Sequence, residues 1–273
     1  MDSEPDPFRA GRRASPTRRG PTRSRLTRTL LAVTLLATAV SAQGRRGDDR
    51  PGPARDDSIT RKDPAIAAID KFLKRHRPSQ KRADWRQAMK APDEVKFRKD
   101  REYRWHLATS KGEVTVRLLP EAAPMHVTST VYLTRAGFYD GLVFHRIVKG
   151  FMAQGGCPLG NGTGNPGYML DGECKDDVKH DKPGILSTAN TGEPKTDGSQ
   201  FFLTFAPAPH LDGKHTVFGE AIEGLPVLEA LDACGAADSA GKPSERIEIV
   251  RAWITVVEKP MVEASGGDGD GGE

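Results

Sequence analysis

The spacing of hydrophobic positions changes character partway along the chain. Between residues 66 and 73, apolar side chains recur at helical spacing, directly after an Asp63-Pro64 pair of the kind that opens a helix. We therefore predict a helix that starts at this pair. A second short helix is predicted over residues 79–90, with a thin apolar face.

Farther on, apolar and polar positions alternate over residues 103–107 and again over 114–118, with a Ser-Lys-Gly turn between them. This two-residue period predicts a β-hairpin. Two helices are predicted at residues 124–135 and 225–231. Further strands are predicted at residues 143–148, 151–154, 185–189, 201–204, 216–221 and 247–257. Many short strands with two separated helices favour a mainly β fold, a closed barrel capped at its ends.

The N-terminal 42 residues have the pattern of a signal peptide. Eight arginines lie among Pro, Ser and Thr in residues 1–29, and the apolar run LLAVTLLATAV follows them. Small residues close the run, as a signal peptidase requires, and the run is shorter than the roughly 20 residues of a spanning helix. We predict export, to the periplasm or outside the cell. An uncleaved membrane anchor and a buried helix are the alternatives, and the basic arm could instead bind nucleic acid or a membrane surface.

Composition limits the chain to one sizeable core, since only 36% of the 273 residues are hydrophobic. The 29 glycines and 20 prolines favour a fold rich in turns. The net charge of +4 reflects arginines near the N-terminus, so the folded part is not an obvious nucleic-acid binder. We predict a disordered linker over 43–62, a short helical extension over 63–100, one domain over 101–259 and a disordered Gly/Asp tail over 260–273.

Three other sets of residues suggest chemistry at first sight. The three cysteines lack CxxC spacing, so a structural zinc is not supported, and a Cys157–Cys174 disulfide stays open for an oxidising compartment. His210 and His215 lack a third ligand nearby, so no metal is predicted. The GxGxxG match at 162–167 lacks the βαβ setting of a dinucleotide site, and tight turns explain it better.

Residues 144–154 read FHRIVKGFMAQ and place a histidine, an arginine, bulky apolar side chains and an amide close together. The segments GILSTANTG and DGSQFFLTFAPAPHLDGKHTVFGE follow in order. Together they resemble the cyclophilin family over about residues 103–258. The resemblance implies an eight-stranded antiparallel β-barrel capped by two helices, and an activity that interconverts cis and trans X-Pro bonds without a cofactor. Arg146 matches the catalytic arginine of the family. Its substrate groove is matched by His145, Phe151, Met152, Gln154, Ala189, Asn190, Gln200, Phe202, Leu211 and His215.

These residue types suit the chemistry on physical grounds. Rotation about a peptide bond has a barrier of about 18–20 kcal/mol because the nitrogen conjugates with the carbonyl. Twisting returns a lone pair to the prolyl nitrogen, and a fixed guanidinium such as that of Arg146 can donate a hydrogen bond to it. Gln154 and the backbone of Asn190 would bind peptide groups. The apolar slot for the proline ring would consist of Phe151, Met152, Phe202 and Leu211.

The chain departs from the family pattern at several positions. His210 stands where many members have tryptophan, so weak cyclosporin binding is expected. Ser129-Thr130 replaces an Asn-Phe pair, and Thr191 stands where a small residue is usual. The alternatives to an enzyme are a binding module for proline-containing segments and an anchored scaffold that uses the residues before 103. A monomer is predicted, since no long amphipathic stripe demands a partner.

Overall fold

The computed structural model describes residues 58–259. The predicted signal peptide, most of the predicted linker and the predicted C-terminal tail lie outside this range. Among residues 58–259, no helix combines the length and the apolar content that a membrane crossing requires.

Eight strands form one sheet in which every ladder is antiparallel, in the order β3-β4-β6-β5-β7-β2-β1-β8. The strands are β1 (Arg101–Thr109), β2 (Gly112–Leu118), β3 (Arg146–Val148), β4 (Met152–Gly155), β5 (Ile185–Thr188), β6 (Phe201–Thr204), β7 (Val217–Glu223) and β8 (Ile249–Glu258). The helices are α1 (Ser58–Lys62), α2 (Pro64–His76), α3 (Pro124–Arg135) and α4 (Leu225–Ala233), and 3₁₀ turns lie at Trp85–Ala88 and Pro209–Leu211.

The prediction of a closed barrel is wrong in one respect, because the sheet is a half-barrel whose edges are β3 and β8. Within the described part of the chain, no ladder joins these two strands. An isolated bridge between Val143 and Glu248 connects the segments that precede them, and the Phe144 amide donates to the Ile247 carbonyl. The outer edge of β3 is instead occupied by the loop over residues 236–241. The Ile147 amide donates to the Gly241 carbonyl, and the Ile147 carbonyl accepts from the Ala236 amide.

The core lies inside the curved sheet, and the alternation of β1 explains why. Tyr103, Trp105 and Leu107 are fully buried while their neighbours are partly exposed. The Trp105 indole packs edge-on against Tyr139 and Phe201, with ring centroids 5.0 and 4.9 Å apart. Phe201 belongs to β6, so this aromatic cluster fixes a strand of the candidate site to the centre of the core.

The helix predicted from Asp63-Pro64 is present as α2, and it packs on the same core. Asp63 accepts hydrogen bonds from the amides of Ala65 and Ile66, as a helix cap does. Its second carboxylate oxygen accepts from the Tyr103 hydroxyl at 2.9 Å. The cap therefore ties the N-terminal extension to β1.

Two expectations about this extension were wrong. Residues 58–62 form α1 although they were predicted to be linker. The helix predicted over 79–90 is only the 3₁₀ turn Trp85–Ala88. Its apolar face was thin, and Arg86 instead donates to the carbonyls of Phe138 and Asp140, which holds the segment against the domain without a continuous helix.

α3 has the predicted bounds, and its departures from the family pattern are accommodated by polar packing. Ser129 is buried, and its hydroxyl lies 2.7 Å from that of Tyr168. The hydroxyl of Tyr168, which belongs to a loop, thus reaches α3 at Ser129.

A glycine controls how β4 leaves the sheet. Gly156 has φ of +80°, and a Cβ there would lie 2.2 Å from the Ser199 carbonyl oxygen. Gly150 has a similar φ of +71° but open space around it. We expect Gly156→Ala to lower the free energy of unfolding by about 1–3 kcal/mol more than Gly150→Ala, since only the first adds a steric clash to the φ strain. Urea unfolding of both variants measures this, and equal losses would contradict it.

Candidate active site

Strand register brings three of the predicted residues into one row. Arg146 on β3 lies opposite Gln154 on β4, and Gln154 lies opposite Phe202 on β6. Directly opposed residues of antiparallel strands project to the same face. The row therefore places a cation, an amide and an aromatic ring side by side.

This row borders a cavity of about 150 Å³. Phe202 and Met152 are almost completely buried and form a solid apolar wall. His145 and Gln200, which were predicted to be in the groove, do not line the cavity. The lining residues are Arg146, Phe151, Met152, Gln154, Ala189, Asn190, Phe202, Leu211 and His215.

The Arg146 guanidinium is held from two sides. Nη1 donates to Gln154 Oε1 at 3.3 Å, and Nε and Nη2 both donate to the Ser239 carbonyl oxygen, at 3.1 and 3.0 Å. A guanidinium is planar and cationic, so this geometry presents a fixed cationic fork. Sequence reasoning missed Ser239, because a backbone carbonyl in a loop leaves no side-chain signal.

Gln200 does not line the cavity but contacts Gln154, which does. Its Oε1 accepts from Gln154 Nε2 at 3.1 Å, and its own Nε2 donates to the carbonyls of Gly162 and Gly164 at 2.8 and 2.9 Å. Gln200 thus orients the amide that contacts Arg146. The glycines belong to the GxGxxG stretch, which is a loop without a following helix, as the tight-turn interpretation predicted.

His145 borders this glycine loop instead of the cavity. A Cβ on Gly162 would lie 3.3 Å from its Nε2 atom, so the ring packs closely on the loop backbone. Burial lowers the pKa of His145, and the charge of Arg146 lowers it further. A neutral imidazole is therefore favoured next to the arginine.

Phe202 lies between two histidines. The His180 ring is stacked on it, with centroids 6.0 Å apart, and the His215 ring meets it edge-on at 5.6 Å. His215 Nδ1 donates to the Thr188 carbonyl at 3.0 Å, and burial lowers the pKa of His215. His215 therefore presents a neutral, oriented ring to the cavity.

Sequence reasoning also missed a Ser-His-Asp array behind this wall. His180 Nδ1 lies 2.9 Å from Asp212 Oδ1, and Nε2 lies 3.0 Å from Ser187 Oγ. Ser187 is fully buried and donates to the Thr216 carbonyl, so it is not placed as a nucleophile. Ser187 follows His180 by seven positions, but Asp212 lies 32 positions beyond His180, so no short motif links the three residues.

The cysteines and His210 lie apart from any metal or disulfide arrangement among the described residues. All three cysteines are free, with Cys157 buried and Cys174 exposed, so the disulfide left open is not formed. Cys157 instead accepts hydrogen bonds from the amides of Gly162 and Gly164. His210 is exposed, with its ring centroid 5.4 Å from that of Phe151.

Comparison with known proteins places this geometry in a family. The model of the cyclophilin type peptidyl-prolyl cis-trans isomerase family matches residues 104–254. A peptidyl-prolyl cis-trans isomerase of Schizosaccharomyces pombe is 42% identical over 149 residues, which are 54% of this chain and 95% of that protein. One from Arabidopsis thaliana is 43% identical over 151 residues, 54% of this chain and 91% of the relative.

Other relatives are much longer. A peptidyl-prolyl cis-trans isomerase-like 2 protein of Cryptococcus neoformans is 43% identical over 161 residues, which are 57% of this chain but 27% of that protein. Among solved structures, a Cryptosporidium parvum cyclophilin type peptidyl-prolyl cis-trans isomerase, crystallised in the presence of the dipeptide Ala-Pro, is similar with a TM-score of 0.53 and 34% identity. The match covers 56% of this chain and 98% of that one. Because the family model covers more than half of the chain, this protein belongs to the cyclophilin-type peptidyl-prolyl cis-trans isomerase family.

Proposed function

We propose that this protein catalyses cis-trans isomerisation of X-Pro peptide bonds. The observation that carries the proposal is the arrangement of one small apolar cavity with a fixed guanidinium at its side. A pyrrolidine ring is apolar and compact, so it suits the wall of Phe202 and Met152. The cavity is built to hold one end of a prolyl bond while the other end turns.

Arg146 is the catalytic residue in this proposal. As the bond twists, conjugation is lost and the prolyl nitrogen regains a lone pair that can accept a hydrogen bond. The guanidinium offers a donor at that moment and stabilises the twisted state more than either planar state. Its bonds to Ser239 and Gln154 orient it in advance, so little reorganisation is needed during the reaction.

The other lining residues bind the substrate in this scheme. Leu211 closes the apolar slot, with Phe151 at its side, and Gln154 and the backbone of Asn190 take peptide carbonyl and amide groups. Asn190 is positioned for this by its own side chain, which donates to the Lys214 carbonyl and accepts from the Gly192 amide. The groove thus recognises backbone on both sides of the proline.

We also propose that the substrates are exported proteins. The support is the signal-peptide pattern of residues 1–42, since a protein sent out of the cytoplasm meets newly exported chains. X-Pro isomerisation takes tens of seconds or longer without catalysis and limits folding at that rate. Folding assistance outside the cytoplasm is the role that joins these two features.

The activity is tested by NMR exchange spectroscopy or a protease-coupled assay on an Ala-Pro peptide with the purified full chain. We expect the cis-trans exchange rate to rise in proportion to protein concentration. Peptide binding without acceleration would overturn the enzyme and leave a binding module for proline-containing segments. Neither binding nor acceleration would overturn both.

A further inference from the structure

We propose that His180, which does not line the cavity, is a positioning residue that fixes the shape of the proline slot. It would do so by holding the Phe202 wall and the turn that carries Leu211 in one arrangement. The inference rests on the proposed function, since it concerns how that site binds its substrate.

The first support is the contact with Phe202. The His180 side chain is 1% exposed, and its ring plane lies within 15° of the Phe202 ring plane. The Phe202 ring is stacked with the buried His180 ring and meets the His215 ring edge-on. The ring that would contact the proline therefore rests on a buried imidazole.

The second support is that His180 brackets the turn Pro209–Leu211 from both ends. Before the turn, the Ala208 amide donates to the His180 carbonyl at 2.7 Å. After the turn, Asp212 Oδ1 accepts from both the His180 amide and His180 Nδ1, each at 2.9 Å. Leu211 sits inside this closed loop of hydrogen bonds, so its position depends on His180.

The third support is that only a histidine side chain meets all these demands at once. The flat ring stacks on Phe202 while Nδ1 bonds Asp212 and Nε2 lies against Ser187 Oγ. A phenylalanine would keep the stacked ring but lose both polar contacts. It would also leave the side chains of Asp212 and Ser187 without the imidazole, and the turn would lose one of its anchors.

The effect should fall on binding and spare the chemistry. Among the described residues, His180 makes no hydrogen bond or ring contact with Arg146, whose guanidinium is held by Ser239 and Gln154. A residue that shapes the slot changes KM, and a residue that acts in the twisted state changes kcat. A change in KM without a change in kcat therefore indicates a positioning role, whereas a general structural role would change both.

The experiment compares His180→Phe with a matched control, His106→Phe. His106 on β1 also stacks on an aromatic ring, that of Trp253 at 4.9 Å, and also meets a carboxylate, Glu113 at 3.2 Å. Ala-Pro peptide binding is titrated by NMR, and exchange of the saturated complex gives the bound rate. For His180→Phe we expect affinity to weaken about tenfold and the bound exchange rate to change less than about threefold. The control should bind as the parent does.

Substitution of Asp212 is a second test. Its side chain is partly exposed, so truncating it creates no buried cavity. Asp212→Ala removes the acceptor and should weaken binding like His180→Phe. Asp212→Asn keeps an oxygen at the same place and should restore it. Unchanged affinity in His180→Phe and Asp212→Ala would overturn the proposal, as would an equal loss in the control. Failure of the proposed function is a separate result, namely binding by the parent without acceleration.

Discussion

Replacing Arg146 with alanine should lower kcat/KM for an X-Pro peptide by at least tenfold, which corresponds to about 1.4 kcal/mol of lost transition-state stabilisation. The apolar wall of the slot stays intact, so most of the loss should appear in kcat. Arg146→Lys should recover little activity. A lysine keeps the charge but cannot bond Ser239 and Gln154 at once through a planar fork.

Arg101→Ala is the matched control for this prediction. Arg101 is also an arginine on a strand of the same sheet, but it pairs with Glu258 at the end of the edge strand β8. The control should retain the activity of the parent. Both variants should show a cooperative thermal unfolding transition, which establishes that they are folded. An Arg146→Ala variant that is folded and fully active would remove the guanidinium from the mechanism.

Local sequence patterns predicted the fold and the site best. Alternation placed Tyr103, Trp105 and Leu107 on one buried face, and the helix at residues 124–135 was predicted with its exact bounds. Nine of the eleven predicted site residues line one cavity. They could be predicted because each belongs to a short motif that is recognisable in the sequence.

The misses depend on contacts between distant segments. β3 does not pair with β8 because the loop over residues 236–241 hydrogen-bonds to the outer edge of β3, which no alternation in the sequence predicts. Ser239 enters the site through its carbonyl, and His180 meets Asp212 across 32 positions of sequence. Such groups have no signature until the fold brings them together.

The second large effect concerns stability and lies in a buried charge cluster. His126 on α3 has Nδ1 2.6 Å from Glu173 Oε2 and Nε2 2.9 Å from Asp197 Oδ2. Thr216 joins the cluster by donating to Asp197, next to the site residue His215. Both ring nitrogens face carboxylates, so His126 donates from both and carries a positive charge.

The pKa directions define a window of stability. Burial by itself would lower the pKa of His126, but hydrogen bonds to Asp197 and Glu173 outweigh it and raise the pKa above 6.5. This contribution is complete below pH 6.5 and is lost as the pH rises through the folded value. For Glu173, burial is outweighed by bonds from His126 and from two backbone amides, and its pKa falls below 4.5. That contribution is complete above pH 4.5 and is lost as the pH falls through the folded value.

His126→Gln should therefore lower the free energy of unfolding near pH 6 by about 3 kcal/mol, because removing the cation leaves two carboxylates uncompensated in a largely buried place. The cluster should contribute most between pH 4.5 and 6.5 in the parent, and this part of the pH profile should flatten in the variant. Urea unfolding at several pH values measures both effects.

The triple variant His126→Leu, Glu173→Gln, Asp197→Asn is the control, because it removes the cation and both carboxylates together. It should be more stable than His126→Gln, since no buried carboxylate charge is then left without a counter-charge. If His126→Gln keeps the parent's stability and pH profile, the cluster is not held by charge. If His126→Gln loses both the stability and the pH profile of the parent, one imidazolium anchors the segment of Asp197 to α3. This segment lies between the site residues Asn190 and Gln200. The stability of the groove then depends on the protonation of His126.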